Sequence, residues 1–171
     1  IPMVIASVDA VFPRIVTRQR YAKWIPLISH TIRTLRYPVV DSRAKAGTLR
    51  RYLENLDQVA RTRDGPLVLF PEGTRTKNGK IGRFQTAGLE RILRARDWKV
   101  YVFVSDGYWL HAKLAQFLGG MQKIKGHLSV LGPFEWNDPE ADPEDFIARM
   151  RGLMVDELAR VRGAKTDLAC R

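Results

Sequence analysis

Five uncharged residues, Pro66-Leu67-Val68-Leu69-Phe70, run straight into a polar turn, Pro71-Glu72-Gly73-Thr74-Arg75. An unbroken apolar run of this length suits a strand covered on both faces, the usual state of strands in parallel sheets. The segments around it fit that frame. Arg14-Ile15-Val16-Thr17, Pro38-Val39-Val40, Val100 to Val104 and His127 to Leu131 read as further strands. Between them lie helical patterns. Ile25 to Leu35 carries apolar residues near helical spacing, and Ile1 to Phe12 reads as a short buried helix stopped by Pro13. From Gly47 or Thr48 a helix presents Leu49, Leu53, Leu56 and Val59 on one side, with Arg50, Glu54, Asp57 and Arg61 free to face water. Phe84 to Arg94 and Tyr108 to Leu118 are two more helices. Asp142-Pro143-Glu144-Asp145 has the chemistry of a helix start, with an Asp cap, proline in the first turn and acids behind it. Phe146, Ile147, Met150, Leu153, Met154, Leu158 and Val161 are its inward stripe, and the tail after Gly163 is expected to fray. Alternating strands and helices predict an α/β fold, a largely parallel mixed sheet with helices on both faces.

With 171 residues the chain is long enough for one domain with a substantial core, and a single domain is expected over 1–171. Cys170 is the only cysteine, which excludes an internal disulfide and argues against a cysteine-based metal site. No metal is expected, and no run is apolar and long enough to span a bilayer. The chain opens Ile1-Pro2-Met3-Val4-Ile5-Ala6 with no basic stretch ahead of the apolar run. That is not a signal-peptide pattern, and it reads as the middle of a folded element.

Charge narrows the partners. Lys and Arg number 29 against 18 acids, a formal +11. A field of that sign draws anions: nucleic acid, phospholipid headgroups, a phosphorylated metabolite or an acidic carrier protein.

Ligands of open α/β sheets bind beyond the carboxyl ends of strands, where Glu72 to Arg75 are expected. Arg75 has a planar fork of donors suited to phosphate, Thr74 a hydroxyl, and Gly73 no Cβ to keep the backbone from a ligand. Glu72 can hold the arginine or a substrate hydroxyl. Lys77, Lys80 and Arg83 add positive charge nearby. The same residues also fit a basic surface turn in which Glu and Arg pair with each other. A nucleotide-binding P-loop does not fit, because five residues separate Gly73 from Gly79-Lys80 and Ile81 stands where Ser or Thr is needed.

The hexapeptide Phe70-Pro71-Glu72-Gly73-Thr74-Arg75 resembles, at all six positions, a motif of the glycerophospholipid acyltransferases, the family of 1-acyl-glycerol-3-phosphate acyltransferase. Arg18 to Leu27 is similar to that family's basic stretch followed by Ile-Pro. Tyr37 to Arg43 is similar to its second motif, and the stretch from His127 through Pro133 to an acidic turn and helix is similar to its ending. The resemblance covers residues 14–162. It implies transfer of an acyl group from acyl-CoA or an acyl carrier protein to the free hydroxyl of a lysophospholipid acid, as part of phospholipid synthesis. No resident cofactor is implied. Glu72, Gly73, Thr74 and Arg75 are then the acceptor-binding residues. Arg43 is a further one, displaced by the intervening Ser42. An anionic membrane surface is the implied partner, with peripheral or anchored attachment at the cytoplasmic face of the inner membrane and no nucleic acid.

The family's catalytic pair is a His-x-x-x-x-Asp. Five positions after His30, His111 and His127 stand Leu35, Gln116 and Gly132, so no such pair occurs here. The resemblance implies that the catalytic His and Asp lie upstream of Ile1 in a domain truncated at its N-terminus. The later strand, Val102-Phe103-Val104-Ser105-Asp106, also lacks the family's Val-Pro pair. Two other readings stay open: a basic nucleic-acid-binding α/β module, and a homologue that binds lysolipid without turning it over. Trp24, Trp98, Trp109 and Trp136 are read as packing residues, with interfacial anchoring as the alternative.

Overall fold

The computed structural model describes residues 13–24, 26–41, 44–62, 65–74, 76, 78–107 and 126–169; at 20, 23–24, 26–28, 62 and 164–169 it describes the backbone alone. Ile1 to Phe12, Arg43, Arg75, Lys77, the Tyr108–Leu118 segment with His111, and Cys170 lie outside the described residues.

The protein is mixed α/β. Strands β1 (Arg14–Ile15) and β2 (Thr17–Arg18) are two halves of one extended stretch. Helices α1 (Gln19–Trp24) and α2 (Pro26–Thr34) follow, then β3 (Val39–Val40), α3 (Ala46–Thr62) and β4 (Leu67–Val68). After a long loop come α4 (Thr86–Leu93), β5 (Trp98–Asp106), β6 (His127–Trp136) and α5 (Glu144–Ala169).

Among the described residues the strands form three pairs, not one continuous sheet: β1 with β4 and β2 with β3, both parallel, and β5 with β6, antiparallel. The first two pairs share the 14–18 stretch. Arg14 and Val16 donate to the carbonyls of Pro66 and Val68 on one side, and Thr17 donates to Pro38 on the other. Successive amides of a strand point to opposite sides, so this stretch serves two parallel neighbours at once. The apolar run at 66–70 is shorter as a strand than expected. Only Leu67 and Val68 are paired, both half-buried, and Phe70 is 44% exposed. Its carbonyl turns to accept the Gly73 amide at 2.9 Å, which takes the chain out of the strand direction.

Local chemistry sets several boundaries. Helix α2 ends in a Schellman motif: Tyr37 donates to the Ile32 carbonyl at 2.9 Å and Arg36 to Arg33 at 3.2 Å, with Arg36 at φ 49°. Pro38 follows and directs the chain into β3. Asp142 Oδ1 accepts the Glu144 amide at 3.2 Å, so the expected cap is in place. Helix α5 does not fray at Gly163 but continues to Ala169.

The core joins these pieces. Leu56 and Ala60 of α3 are each 1% exposed and pack with Val16 and Ile92. The exposed side of α3 carries the ion pairs Arg50–Glu54 and Arg61–Asp57, as the charge pattern predicts. Two tryptophans lock α4 to the β5–β6 ribbon. Trp98 and Trp136 face each other across the strands, and their indole N–H groups donate to the carbonyls of Ile92 at 2.7 Å and Leu93 at 2.9 Å. Both carbonyls lie in the last turn of α4, and the Ile92 carbonyl also accepts the Ala95 amide at 3.1 Å. Both tryptophans are therefore structural, which corrects the interfacial-anchor alternative for them. Ile147, Met150 and Leu158 of α5 cover the inner face of the ribbon.

Two acids are buried between α5 and the ribbon, Asp106 and Glu157. Glu157 of α5 accepts a two-bond fork from Arg160, both at 2.7 Å. These bonds, a hydrogen bond from Ser129, and the charges of Arg160 and His127 hold its carboxyl down to about 2, against burial, which opposes them. An unfolded glutamate titrates near the ordinary 4.5. The stabilisation is therefore complete above that value and is lost as pH falls from it towards 2. Glu157→Gln is expected to be less stable than wild type at neutral pH and to converge with it in this acid window, measured by urea denaturation across pH. A stability gap independent of pH would contradict the assignment.

Candidate functional site

The two parallel pairs end at one edge. Register sets Arg18 opposite Val40 and Val68 opposite Ile15, so Arg18 ends β2, and Asp41 and the turn after Phe70 come after β3 and β4, at carboxyl ends of parallel strands. This is where a ligand site is expected in such folds.

Phe70-Pro71-Glu72-Gly73 closes as a four-residue turn through the Gly73 amide. Proline suits its second position, and Gly73 takes φ 61°, a left-handed conformation that costs glycine little. A Cβ on Gly73 would stand 3.8 Å from Arg18 Nη2 and 3.4 Å from Gln85 Cγ. The guanidinium of Arg18 thus lies against the glycine of the hexapeptide. Thr74 is exposed beside it.

The following loop folds back on the turn. Gln85 donates its amide to the Pro71 carbonyl at 2.7 Å. The Gly82 amide donates to Glu72 Oε2 at 2.6 Å, and a Cβ on Gly82 would meet that same oxygen at 2.8 Å. Asn78 Oδ1 accepts the Lys80 amide at 3.1 Å, and the Thr76 hydroxyl reaches the Lys80 carbonyl at 2.9 Å. Lys80 and Arg83 project into solvent. Two arginines of α5 reach the loop from outside: Arg151 Nε donates to the Gly82 carbonyl at 3.1 Å and Arg162 Nη2 to the Gly79 carbonyl at 2.6 Å. Arg162 also donates to Asp106 Oδ1 at 2.9 Å.

Of the expected site residues, Glu72, Gly73 and Thr74 lie together at the strand edge, whereas Arg75 and Arg43 are outside the described residues. Glu72 has a more definite task than the sequence suggests, since one of its oxygens closes the loop. Arg18 is a further residue at this edge, and the sequence pattern alone assigns it no role. The available signal was its position, a cation ending the Ile15-Val16-Thr17 run at a strand's carboxyl end. The two described histidines, His30 and His127, make their contacts elsewhere. His30 is exposed on α2, 3.5 Å from Thr34 Oγ1. His127 Nε2 lies 3.0 Å from Ser129 Oγ on β6, in the Glu157 cluster. Among the described residues no group of three His, Cys, Asp or Glu side chains is placed to hold a metal.

Chemically, the edge offers a guanidinium, a glycine backbone open to close approach, a hydroxyl and a carboxylate fixed by an amide. Such a set binds an anion beside a polyol. A second basic surface, an open basin lined by Lys45, Gly47, Thr48, Arg50, Arg51 and Glu54, lies at the start of α3, and its Arg50 is already paired with Glu54.

The sequence model of the family described as Acyltransferase matches residues 3–124, well over half of the chain. No curated protein and no solved structure matches significantly.

If Glu72 holds the loop, Glu72→Ala removes a charge-assisted bond worth about 1.5–3 kcal/mol. The Gly82 amide is then expected to exchange with deuterium roughly ten- to a hundredfold faster, with global stability little changed. Unchanged exchange at Gly82 would show that the loop closes without Glu72.

Proposed function

We propose, for a chain that belongs to the acyltransferase family, that it takes part in transferring an acyl group from a thioester to the free hydroxyl of a lysophospholipid acid such as 1-acyl-glycerol-3-phosphate. The observation that carries this reading is the hexapeptide, of which Phe70 to Gly73 form a turn at the carboxyl edge of parallel strands with the glycine against Arg18. In this proposal Arg75 and Arg18 bind the acceptor phosphate, with Thr74 and the Gly73 backbone beside them and Arg43 as a further cation. Glu72 keeps one oxygen on Gly82 and offers the other to the glycerol backbone.

The reaction forms one ester bond and breaks one thioester bond. The acceptor oxygen attacks the thioester carbonyl and loses its proton to a base, and the thiol of CoA or of an acyl carrier protein leaves. A positioned base contributes typically 10²–10⁴-fold. No residue of Ile1–Arg171 is assigned that role: no His-x-x-x-x-Asp occurs in these residues, and the two described histidines contact Thr34 and Ser129. The proposal further takes the strands to belong to one largely parallel sheet covered on both faces.

Among the described residues no helix is long and apolar enough to cross a membrane. We propose peripheral or anchored attachment at the cytoplasmic face of the inner membrane, drawn by the +11 charge. A basic residue near an anionic leaflet is worth about 1 kcal/mol, so a handful suffices. An acidic carrier protein would be steered by the same field. Nucleic acid is not part of the proposal, since no groove-reading signature accompanies the charge.

Arg75→Ala is the test. Loss of a charged hydrogen bond predicts roughly ten- to a hundredfold weaker binding of glycerol 3-phosphate, followed by calorimetry. Affinity equal to wild type would move the phosphate away from the hexapeptide.

A further inference from the structure

Helix α5 lies beyond the 3–124 stretch that matches the family, yet it makes two of the contacts that hold the hexapeptide's loop. We infer that Arg151 and Arg162 are positioning residues for the acceptor site, acting through Gly82 and Gly79 on Glu72, with Asp106 as the anchor of Arg162. The inference rests on the acceptor site proposed above.

Geometry supports it in three ways. The two arginines are about three helical turns apart, so they project from one face of α5 towards one loop. Their targets are backbone carbonyls of glycines, and Gly79 is buried at φ 72°, so the loop is shaped to let a side chain reach its main chain. The carboxylate that Arg162 also binds belongs to Asp106, the last residue of β5, which is 7% exposed. A cation held on a buried carboxylate has little freedom to swing away, so the Gly79 carbonyl is fixed relative to the β5–β6 ribbon.

The chain of contacts ends at the site. Gly82 gives its N–H to Glu72 and its carbonyl to Arg151. Movement of Gly82 is therefore movement of the Glu72 carboxylate. Lys80, between the two clamped glycines, keeps its ammonium in solvent while its amide is held by Asn78. The clamp thus orders the backbone from Gly79 to Gly82 and leaves Lys80 facing outward.

The test uses the full-length protein that carries this chain, with Arg162→Ala, the double variant Arg151→Ala/Arg162→Ala, and Arg162→Lys. Displacement of a binding group by about an ångström costs up to about a hundredfold. The double variant is expected to raise KM for 1-acyl-glycerol-3-phosphate roughly tenfold. KM for the acyl thioester should stay within about twofold, and Arg162→Lys should recover most of the loss. Amide exchange at Gly79 to Gly82 should quicken in Arg162→Ala and not in Arg162→Lys. Equal rises in both KM values, or a loss that Lys does not repair, would make these arginines merely structural and overturn the inference. Wild-type protein that neither binds glycerol 3-phosphate nor uses the lysolipid would overturn the proposed acceptor. The clamp then stands or falls on the exchange result alone.

Discussion

Gly82 is held at both of its backbone polar groups, by the Glu72 carboxylate at its N–H and by Arg151 at its carbonyl. Its first bond joins a strand-edge turn to a loop ten residues later, and its second joins that loop to a helix near the end of the chain. A side chain at this position would push the Glu72 oxygen aside, because the Cβ would lie only 2.8 Å from it. The carboxylate can sit where it does only because residue 82 has no Cβ. The position of Glu72, a residue of the proposed acceptor site, therefore depends on a glycine that belongs to no motif.

Around that point the protein uses polar bonds at ends and apolar packing in between. Apolar side chains such as Leu56, Val104 and Leu158 supply most of the burial, at roughly 25 cal/mol per Å² of apolar area. Orientation comes from a few directed bonds. Trp98 and Trp136 fix the end of α4 to the ribbon, and Arg162 fixes the end of β5 to the loop. Apolar contact is non-directional and would tolerate sliding of these pieces, whereas a charged bond at 2.6–2.9 Å does not. The site is thus assembled by groups that contribute modest stability and high definition.

Features encoded within a few residues were legible in the sequence. The Asp142 cap, the stripe of α3 with its outward ion pairs, and the turn at Gly73 each depend on neighbours in the chain. What was not legible depends on distant partners. Nothing near Arg162 indicates that it will meet a loop some eighty residues earlier, and nothing near Gly82 indicates Glu72. The sequence pattern predicts strand β6 only to Leu131. The strand instead continues to Trp136 beside a register shift between Val100 and Val102. The sequence predicts a frayed tail after Gly163, since a glycine costs a helix about 1 kcal/mol. Here the preceding residue is anchored to Asp106 and Gly79, and the helix runs on.

The central claim is that the carboxyl edge around Gly73, and not the basic basin at the start of α3, receives the phosphate. Amide chemical shifts followed during titration with glycerol 3-phosphate test it most directly, because they locate the ligand without requiring turnover. The account predicts that the largest shifts fall on Arg18, Gly73, Thr74 and Gly82, with Lys45 to Arg51 unmoved. Shifts centred on Lys45 to Arg51, with Gly73 and Gly82 unmoved, would contradict it.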